Sequence, residues 1–323
     1  MITPLYASID LGGTKIAAAL ATAEGQIVAE QTIPTHSHEG PPAVLDRMAG
    51  LINDLSAQAG GRPAALGMGM PGWVDRTHGV SKFMPNLLGQ WRDVPVRALL
   101  SPQIGCPVYL LNDVRMATLA ELTYGHGKDE PALTLVFFAI GTGIGGGVAV
   151  EGKLRLGAFG SAGELGHLTV VPDGPWCSCG NRGCLETLAS GPAITAAGVR
   201  VLLLGHAPRL HELTGGDLAQ VNPRSMAQAA AAGDHAVAEV IRDAAGYIGI
   251  ATANVIGTLH PEMVVLGGGV AEIGDLLFEA VRATVKRRFH MFPPDGVRIV
   301  PSKLGVRAGI LGGVALAAQG GLL

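Results

Sequence analysis

The chain has 323 residues, 48% of them hydrophobic and 15% charged, with a net charge of −3. That is enough apolar material for a large core shared between two lobes, and the charge balance gives no electrostatic reason to bind nucleic acid. Mean hydropathy is positive, but the longest apolar stretches, AAGYIGIATANVIGTL and GILGGVALAAQGGLL, are broken by Gly, Asn, Thr or Gln and fall short of the roughly 20 apolar residues of a membrane span.

In chain order, LYASIDLGGTKIAAALATAEGQIVAEQTI reads as three antiparallel strands separated by a Gly-Gly break and an AEGQ turn. Apolar spacing predicts a helix over 43–59, and AALGMGMPG a short strand ending in a Pro-Gly turn. Residues 72–95 read as loop, VYLLND as a strand and VRMATLAELTYG as a helix. TLVFFAIGTGIGGGVAVEGKLRLG then restarts the opening pattern: apolar run, Gly/Thr break, apolar run, EGK turn, third run. Ala-rich helical regions over about 192–204 and 225–259 follow, then a buried strand MVVLGGGV, a helix to about 290, a short strand VRIVPS and an apolar C-terminal helix. The basic run Lys286, Arg287 and Arg288 falls in that penultimate helix and reads as a solvated face.

The restart implies a duplicated β-β-β-α-β unit in an α/β protein of two lobes, with a cleft between them. The expected division is a smaller lobe, 1–123, completed by the C-terminal helix at about 305–323, and a larger lobe, 124–304, with YGHGKDEP at 124–131 as the first crossing. No basic segment followed by an apolar one opens the chain, so a cytoplasmic protein is expected.

Three glycine-rich turns follow strands: DLGGTK from Asp10 to Lys15, GTGIGGG from Gly141 to Gly147, and Gly267 to Gly269. Glycine admits a ligand close to the backbone, whose N–H groups can hold phosphate oxygens. Residues 141–146 match G-x-G-x-x-G, but that dinucleotide fingerprint must open a helix, and here another strand follows. No G-x-x-x-x-G-K-S/T loop is present either. Two ordinary tight hairpins, with Asp10 capping a turn, fit the same residues. The pair, one in each half, resembles the phosphate hairpins of the actin/hexokinase-type sugar kinase superfamily. That resemblance implies a two-lobed actin/hexokinase-like (ribonuclease H-like) ATPase fold. It also implies that Asp10 acts near Mg²⁺, while Gly12, Gly13, Thr14 and Lys15 and then Gly141, Thr142 and Gly143 grip the ATP phosphates.

Phosphoryl transfer to a sugar hydroxyl needs a positioned ATP and a base for the hydroxyl proton. Asp113, at the carboxyl end of the VYLL strand, is the candidate base, since α/β proteins bind ligands there. Asn-Asp before a helix is equally an ordinary N-cap.

Three of the four cysteines crowd into HLTVVPDGPWCSCGNRGC. His167, Cys177, Cys179 and Cys184 form an H-x9-C-x-C-x4-C set of soft and borderline donors suited to a closed tetrahedral Zn²⁺ site. Four protein ligands leave no position for activated water, so the metal is expected to be structural. A histidine that gives one nitrogen to zinc can offer the other to a sugar hydroxyl. Cys106 stands apart and reads as core.

DLGGTK, LLND, GTGIGGG, ELGH and CSCGNRGCLE, taken in order, resemble the ROK family (repressors, ORFs and sugar kinases), and within it the bacterial ATP-dependent glucokinases. The resemblance implies phosphorylation of glucose at O6, giving glucose 6-phosphate and ADP. Under it Asp113 is the general base, and Asn112, Glu164, His167 and Glu186 bind sugar hydroxyls. Gly72 and Asn86, in PGWVD and MPNLLGQW, are weaker contacts, and Gly267 and Gly268 lie near the adenosine. A homo-oligomer, dimer or tetramer, is likewise implied. Kinases for N-acetylglucosamine, N-acetylmannosamine or mannose, and a non-catalytic sugar-responsive regulator, are the alternatives. The sequence departs from the family after Asn-Asp, where Arg115 stands beside the candidate base in place of a small residue.

Overall fold

The computed structural model describes residues 3–84, 87–89, 91–291, 293 and 296–323. Within them the chain groups into two units: Met1–Leu133 with Val148–Gly163 and Lys303–Leu323, and Thr134–Gly147 with Glu164–Ser302.

The first unit opens with an antiparallel meander, β1 (Tyr6–Leu11), β2 (Lys15–Ala21) and β3 (Ile27–Pro34). β1 and β2 are buried along most of their length, whereas edge strand β3 keeps much of its length exposed. Helix α1 (Pro41–Ala59) starts on a Pro-Pro pair, whose missing N–H groups cost nothing in a first turn, and stops at Gly60 in the left-handed conformation. β4 (Leu66–Met70) pairs parallel with β1 and with β7 (Val108–Asn112), giving the sheet order β3-β2-β1-β4-β7.

Between β4 and β7, the stretch expected to be loop forms a two-stranded hairpin, β5 (Trp73–Asp75) with β6 (Val80–Phe83). Strands of three and four residues, with a register shift between Trp73 and Val74, are too short and irregular to show a period of two. Helix α2 (Val96–Ile104) follows, and α3 (Asp113–Thr123) leaves the end of β7.

The second sheet runs β10-β9-β8-β11-β12, with β8 (Leu135–Ile140), β9 (Ile144–Val150), β10 (Lys153–Arg155), β11 (Met263–Gly267) and β12 (Arg298–Pro301). β11 is parallel to both β8 and β12. Its order matches the first sheet position by position, so the restart seen in the sequence is a repeated sheet.

The helices of the second unit are α4 (Glu186–Ala189), α5 (Gly191–Leu203), α6 (Pro208–Thr214), α7 (Pro223–Ala231), α8 (His235–Leu259) and α9 (Asp275–Arg288). The region read as one helical stretch over 225–259 is thus two helices broken at 232–234. Asp234 at the break accepts hydrogen bonds from the backbone of Arg209 (3.1 Å) and Leu210 (2.7 Å), holding the first turn of α6.

The last helix, α10 (Ala308–Ala318), is buried along most of its length within the first unit, where it packs on α3, β1 and β4. Its small apolar residues are therefore core. Lys286, Arg287 and Arg288 end α9 exposed to solvent, at the carbonyl end of the helix, where cations are favourable. Cys106 is buried, and no helix among the described residues is long and apolar enough to cross a membrane.

Candidate active site and metal centre

In the first unit, Gly12, Gly13, Thr14 and Lys15 make the tight turn between β1 and β2, closed by a bond from Gly12 N–H to Lys15 O at 2.9 Å. Buried Thr35 clamps it from β3's end: its hydroxyl donates to Gly12 O (2.8 Å) and its N–H to Thr14 O (2.9 Å). No local sequence signal marks Thr35, because the contact spans 23 residues. Gly13, Thr14 and Lys15 are exposed, as a ligand-gripping turn requires. Asp10 is the penultimate residue of β1, beside this turn, and loss of water around its carboxylate raises its pKa, partly offset by the charge of Lys15.

At the end of β7, the competing readings of Asn112-Asp113 resolve into separate roles. Asn112 is the N-cap of α3: its side-chain oxygen accepts from Val114 N (3.1 Å) and Arg115 N (3.3 Å). Its amide nitrogen donates to Gly72 O (3.2 Å), tying the turn after β4 to the same point. Asp113 is the first helical residue, partly exposed, with Oδ1 accepting from Val114 N at 2.9 Å. Arg115 is buried behind it, donating to Asn112 Oδ1 (2.9 Å), Ser161 O (2.8 Å) and Ala162 O (3.1 Å). Asn86 lies outside the described residues.

In the second unit, Gly141, Thr142 and Gly143 make the corresponding turn between β8 and β9, closed by Gly141 N–H to Gly143 O at 2.9 Å. Gly191 N–H at the start of α5 holds Gly141 O at 2.8 Å. Glu186, at the start of α4, accepts from Ile144 N through Oε2 at 2.8 Å. A β-carbon on Gly143 would sit 2.4 Å from that same oxygen, so any side chain here must displace the carboxylate. Gly267 ends β11 and Gly268 is exposed in the turn after it, with Val270 N–H bound to Ile140 O at 3.0 Å. The third glycine turn is thereby fastened to the end of β8.

Glu164 is exposed just before the short helical turn Leu165–His167. His167 closes that turn through its N–H to Glu164 O, 3.1 Å. Beyond it the chain folds into a knuckle, with Cys177 N–H on Asn181 O (2.8 Å) and Gly180 N–H on Cys177 O (3.0 Å). Gly183, at a φ of 68°, passes so near Val171 O that a β-carbon would lie 1.6 Å from it.

The donor atoms of His167, Cys177, Cys179 and Cys184 all lie within 4.8 Å of one another. Cys177 Sγ is 3.6 Å from His167 Nδ1, and Cys179 Sγ is 3.7 Å from Cys184 Sγ. A tetrahedral zinc with bonds of about 2.3 Å to sulfur and about 2.0 Å to nitrogen separates S from S by about 3.8 Å and S from N by about 3.6 Å. The cluster therefore fits a four-ligand metal, and with Nδ1 turned toward the sulfurs, Nε2 of His167 remains for another partner.

The ROK family profile matches residues 6–320. A glucokinase from Thermotoga maritima is 35% identical over 313 residues, 95% of each chain. An N-acetylmannosamine kinase from Escherichia coli is 33% identical over 97% of this chain and 98% of its own. A xylose repressor from Caldicellulosiruptor bescii is 30% identical over 95% of this chain, which spans 76% of that longer protein. The crystal structure of a ROK family glucokinase from Streptomyces griseus in complex with glucose and AMPPNP aligns with a TM-score of 0.84 at 31% identity, covering 98% of this chain and 99% of that one. The fold is thus the actin/hexokinase-like α/β fold of those kinases. With the family profile spanning nearly every residue, and with both glycine turns at matching places in two like-ordered sheets, this chain belongs to the ROK family.

Proposed function

We propose that this sugar kinase family member transfers the γ-phosphoryl group of ATP to O6 of glucose. The observation that carries the reading is the repetition of a Gly-Thr hairpin turn at the same position of two sheets with the same strand order, one turn in each unit. Two such turns offer backbone N–H groups to phosphate oxygens. The relative crystallised with glucose and AMPPNP supports the assignment of both substrates.

In this reading the carboxylate of Asp113 accepts the proton of the 6-hydroxyl as its oxygen attacks the γ-phosphorus. The new O6–P bond replaces the bond to the β,γ-bridging oxygen, and ADP leaves with that electron pair. Asn112 fixes where Asp113 begins its helix, and its amide groups are already occupied by the cap, Arg115 and Gly72. Glu164, Glu186 and Nε2 of His167 supply acceptors and a donor for sugar hydroxyls, while Gly72 shapes the adjoining turn. Asp10 would hold Mg²⁺, which would supply charge neutralisation on the phosphates when bound. Lys15, Thr14 and Thr142 complete the two phosphate turns, and Gly267 and Gly268 lie toward the adenosine. Zinc held by His167, Cys177, Cys179 and Cys184 supplies a rigid crosslink that orients the imidazole. The two units correspond to the two lobes of the family fold, in a cytoplasmic homo-oligomer.

ADP release by purified protein with Mg²⁺ and ATP, measured across glucose, mannose, N-acetylglucosamine and N-acetylmannosamine, tests the reading. The expected result is the highest kcat/KM on glucose. The N-acetylmannosamine kinase relative favours one competing substrate, and a higher kcat/KM on an N-acetylhexosamine would replace glucose by that sugar. No ADP release with any of the four sugars would reject the kinase reading.

A further inference from the structure

A cavity of about 250 Å³ opens in the first unit between the β5–β6 turn, strand β7 and the end of α10. It is built around two guanidinium groups, those of Arg76 and Arg97. Arg97 is held rigidly: Nε donates to Val108 O (2.9 Å), Nη1 to Thr77 O (2.8 Å) and Nη2 to Arg76 O (2.7 Å). Three of its five N–H donors are spent on carbonyls, and two remain.

Arg76 is far less committed. Nη2 donates to Gly321 O at 3.0 Å, while Nε is buried without any hydrogen-bond partner. Neither guanidinium forms an ion pair with a carboxylate among the described residues. Burial and the like charge of Arg97 both oppose the charged form of Arg76. Two adjacent cations and an orphaned buried donor are costly to maintain unless an anion completes them. Tyr109, partly exposed, adds a ring face to the lining, with the buried Leu110 and Leu316 behind it.

The geometry points to a binding site for the phosphoryl group of a small phosphate monoester, held between Arg76 and Arg97 with its carbon skeleton beside Tyr109. Arginine forks match phosphate oxygens in geometry as well as charge. The volume lies below the roughly 300–1,000 Å³ of sites for drug-sized ligands, which suits a small metabolite and excludes a nucleotide. The residues involved are separate from Asp10, Asp113 and both glycine turns, so the site is distinct from the proposed catalytic one.

Calorimetric titration of the full chain, with glucose and a non-hydrolysable ATP analogue present in excess, tests this with two probes, inorganic phosphate and glucose 6-phosphate. Saturable binding of at least one probe is expected, weakened tenfold or more in Arg76→Gln, and the tighter probe identifies the source of the phosphoryl group. Absence of saturable binding by both probes, or equal affinity in Arg76→Gln, overturns the site. Should Arg76→Gln not fold, the Nε–H resonance of Arg76 in the unaltered chain, assigned with Arg76→Lys, must move on adding the probe that binds; a stationary resonance overturns the site equally. The outcome is separable from the kinase reading: a parent chain that binds phosphate through Arg76 yet fails to phosphorylate any sugar rejects only the proposed reaction.

Discussion

Arg115 donates from Nη1 to the side-chain oxygen of Asn112 at 2.9 Å, the same oxygen that caps α3 immediately before Asp113. It also donates to the carbonyls of Ser161 and Ala162, so one buried cation fastens the helix start to the segment that leads toward Glu164. Removing it leaves the carbonyls of Ser161 and Ala162 without this partner, while Asn112 Oδ1 keeps the N–H groups of Val114 and Arg115. Each unsatisfied buried group costs about 1–3 kcal/mol, so Arg115→Ala is expected to lose about 2 kcal/mol or more in urea denaturation. kcat should fall about tenfold as Asp113 loses its fixed origin, a loss that misplacement of reacting groups readily produces. Arg115→Lys should recover only part of either, because the ammonium lacks the planar fork. An Arg115→Met variant as stable and active as the parent would show the clamp to be dispensable.

Asp113→Asn tests the proposed base directly. The amide keeps the size and the bond to Val114 N, but cannot take the hydroxyl proton. General base catalysis contributes roughly 10²–10⁴-fold, so kcat should fall within that range while KM for the sugar and for ATP changes little. A variant retaining parental kcat would remove Asp113 from the chemistry.

The framework of both sheets, the two hairpin turns and the metal cluster were legible in the sequence, because each rests on local pattern: apolar runs, Gly breaks and Cys/His spacing. The β5–β6 hairpin was not, since strands of three and four residues carry too little periodicity. The break at 232–234 lies in an Ala-rich stretch but is marked by Gly233, whose φ of 105° favours glycine and ends α7, and by Asp234, which starts α8 while its carboxylate bonds across to α6. Thr35 and the bond between Glu186 and Ile144 escaped for another reason: they join residues 23 and 42 apart, and only the fold brings them together.

The metal cluster leads to a prediction with two readouts. Native mass spectrometry should show about one zinc per chain, and Cys184→Ser should lose it together with several degrees of thermal stability, because binding free energy at such a site is folding free energy. Cys184 is fully buried, so the loss cannot be masked by a water ligand at an exposed corner. Folded, active parent protein without zinc would refute the assignment.

The raised pKa of Asp10 predicts a pH-dependent stability with a definite sign. When the folded pKa exceeds the unfolded one, the group favours the fold while protonated, and that contribution is lost as pH rises from the ordinary carboxylate range through the folded pKa. Asp10→Asn removes this cost. In the absence of Mg²⁺ its melting temperature relative to the parent should therefore climb as pH rises above about 4, the ordinary carboxylate value, and then level off. Activity should be lost in the same variant. A difference in melting temperature independent of pH would show that ionisation of Asp10 carries no cost.

Glu186 links the proposed sugar site to a phosphate turn within one unit, through Oε2 on Ile144 N at 2.8 Å. Glu186→Ala should therefore raise KM for ATP as well as for the sugar, by several-fold each, whereas a residue touching sugar alone would raise only the second. Gly143 sharpens the test, because the atoms within 4 Å of a β-carbon built there all belong to Glu186. Gly143→Ala in the parent must displace the carboxylate and should raise both KM values. In the Glu186→Ala background the same change meets no obstacle, so the double variant should match Glu186→Ala alone. Residues in contact characteristically show such coupling, while independent sites give additive effects. Additive losses in the double variant would mean that the turn and the carboxylate act separately.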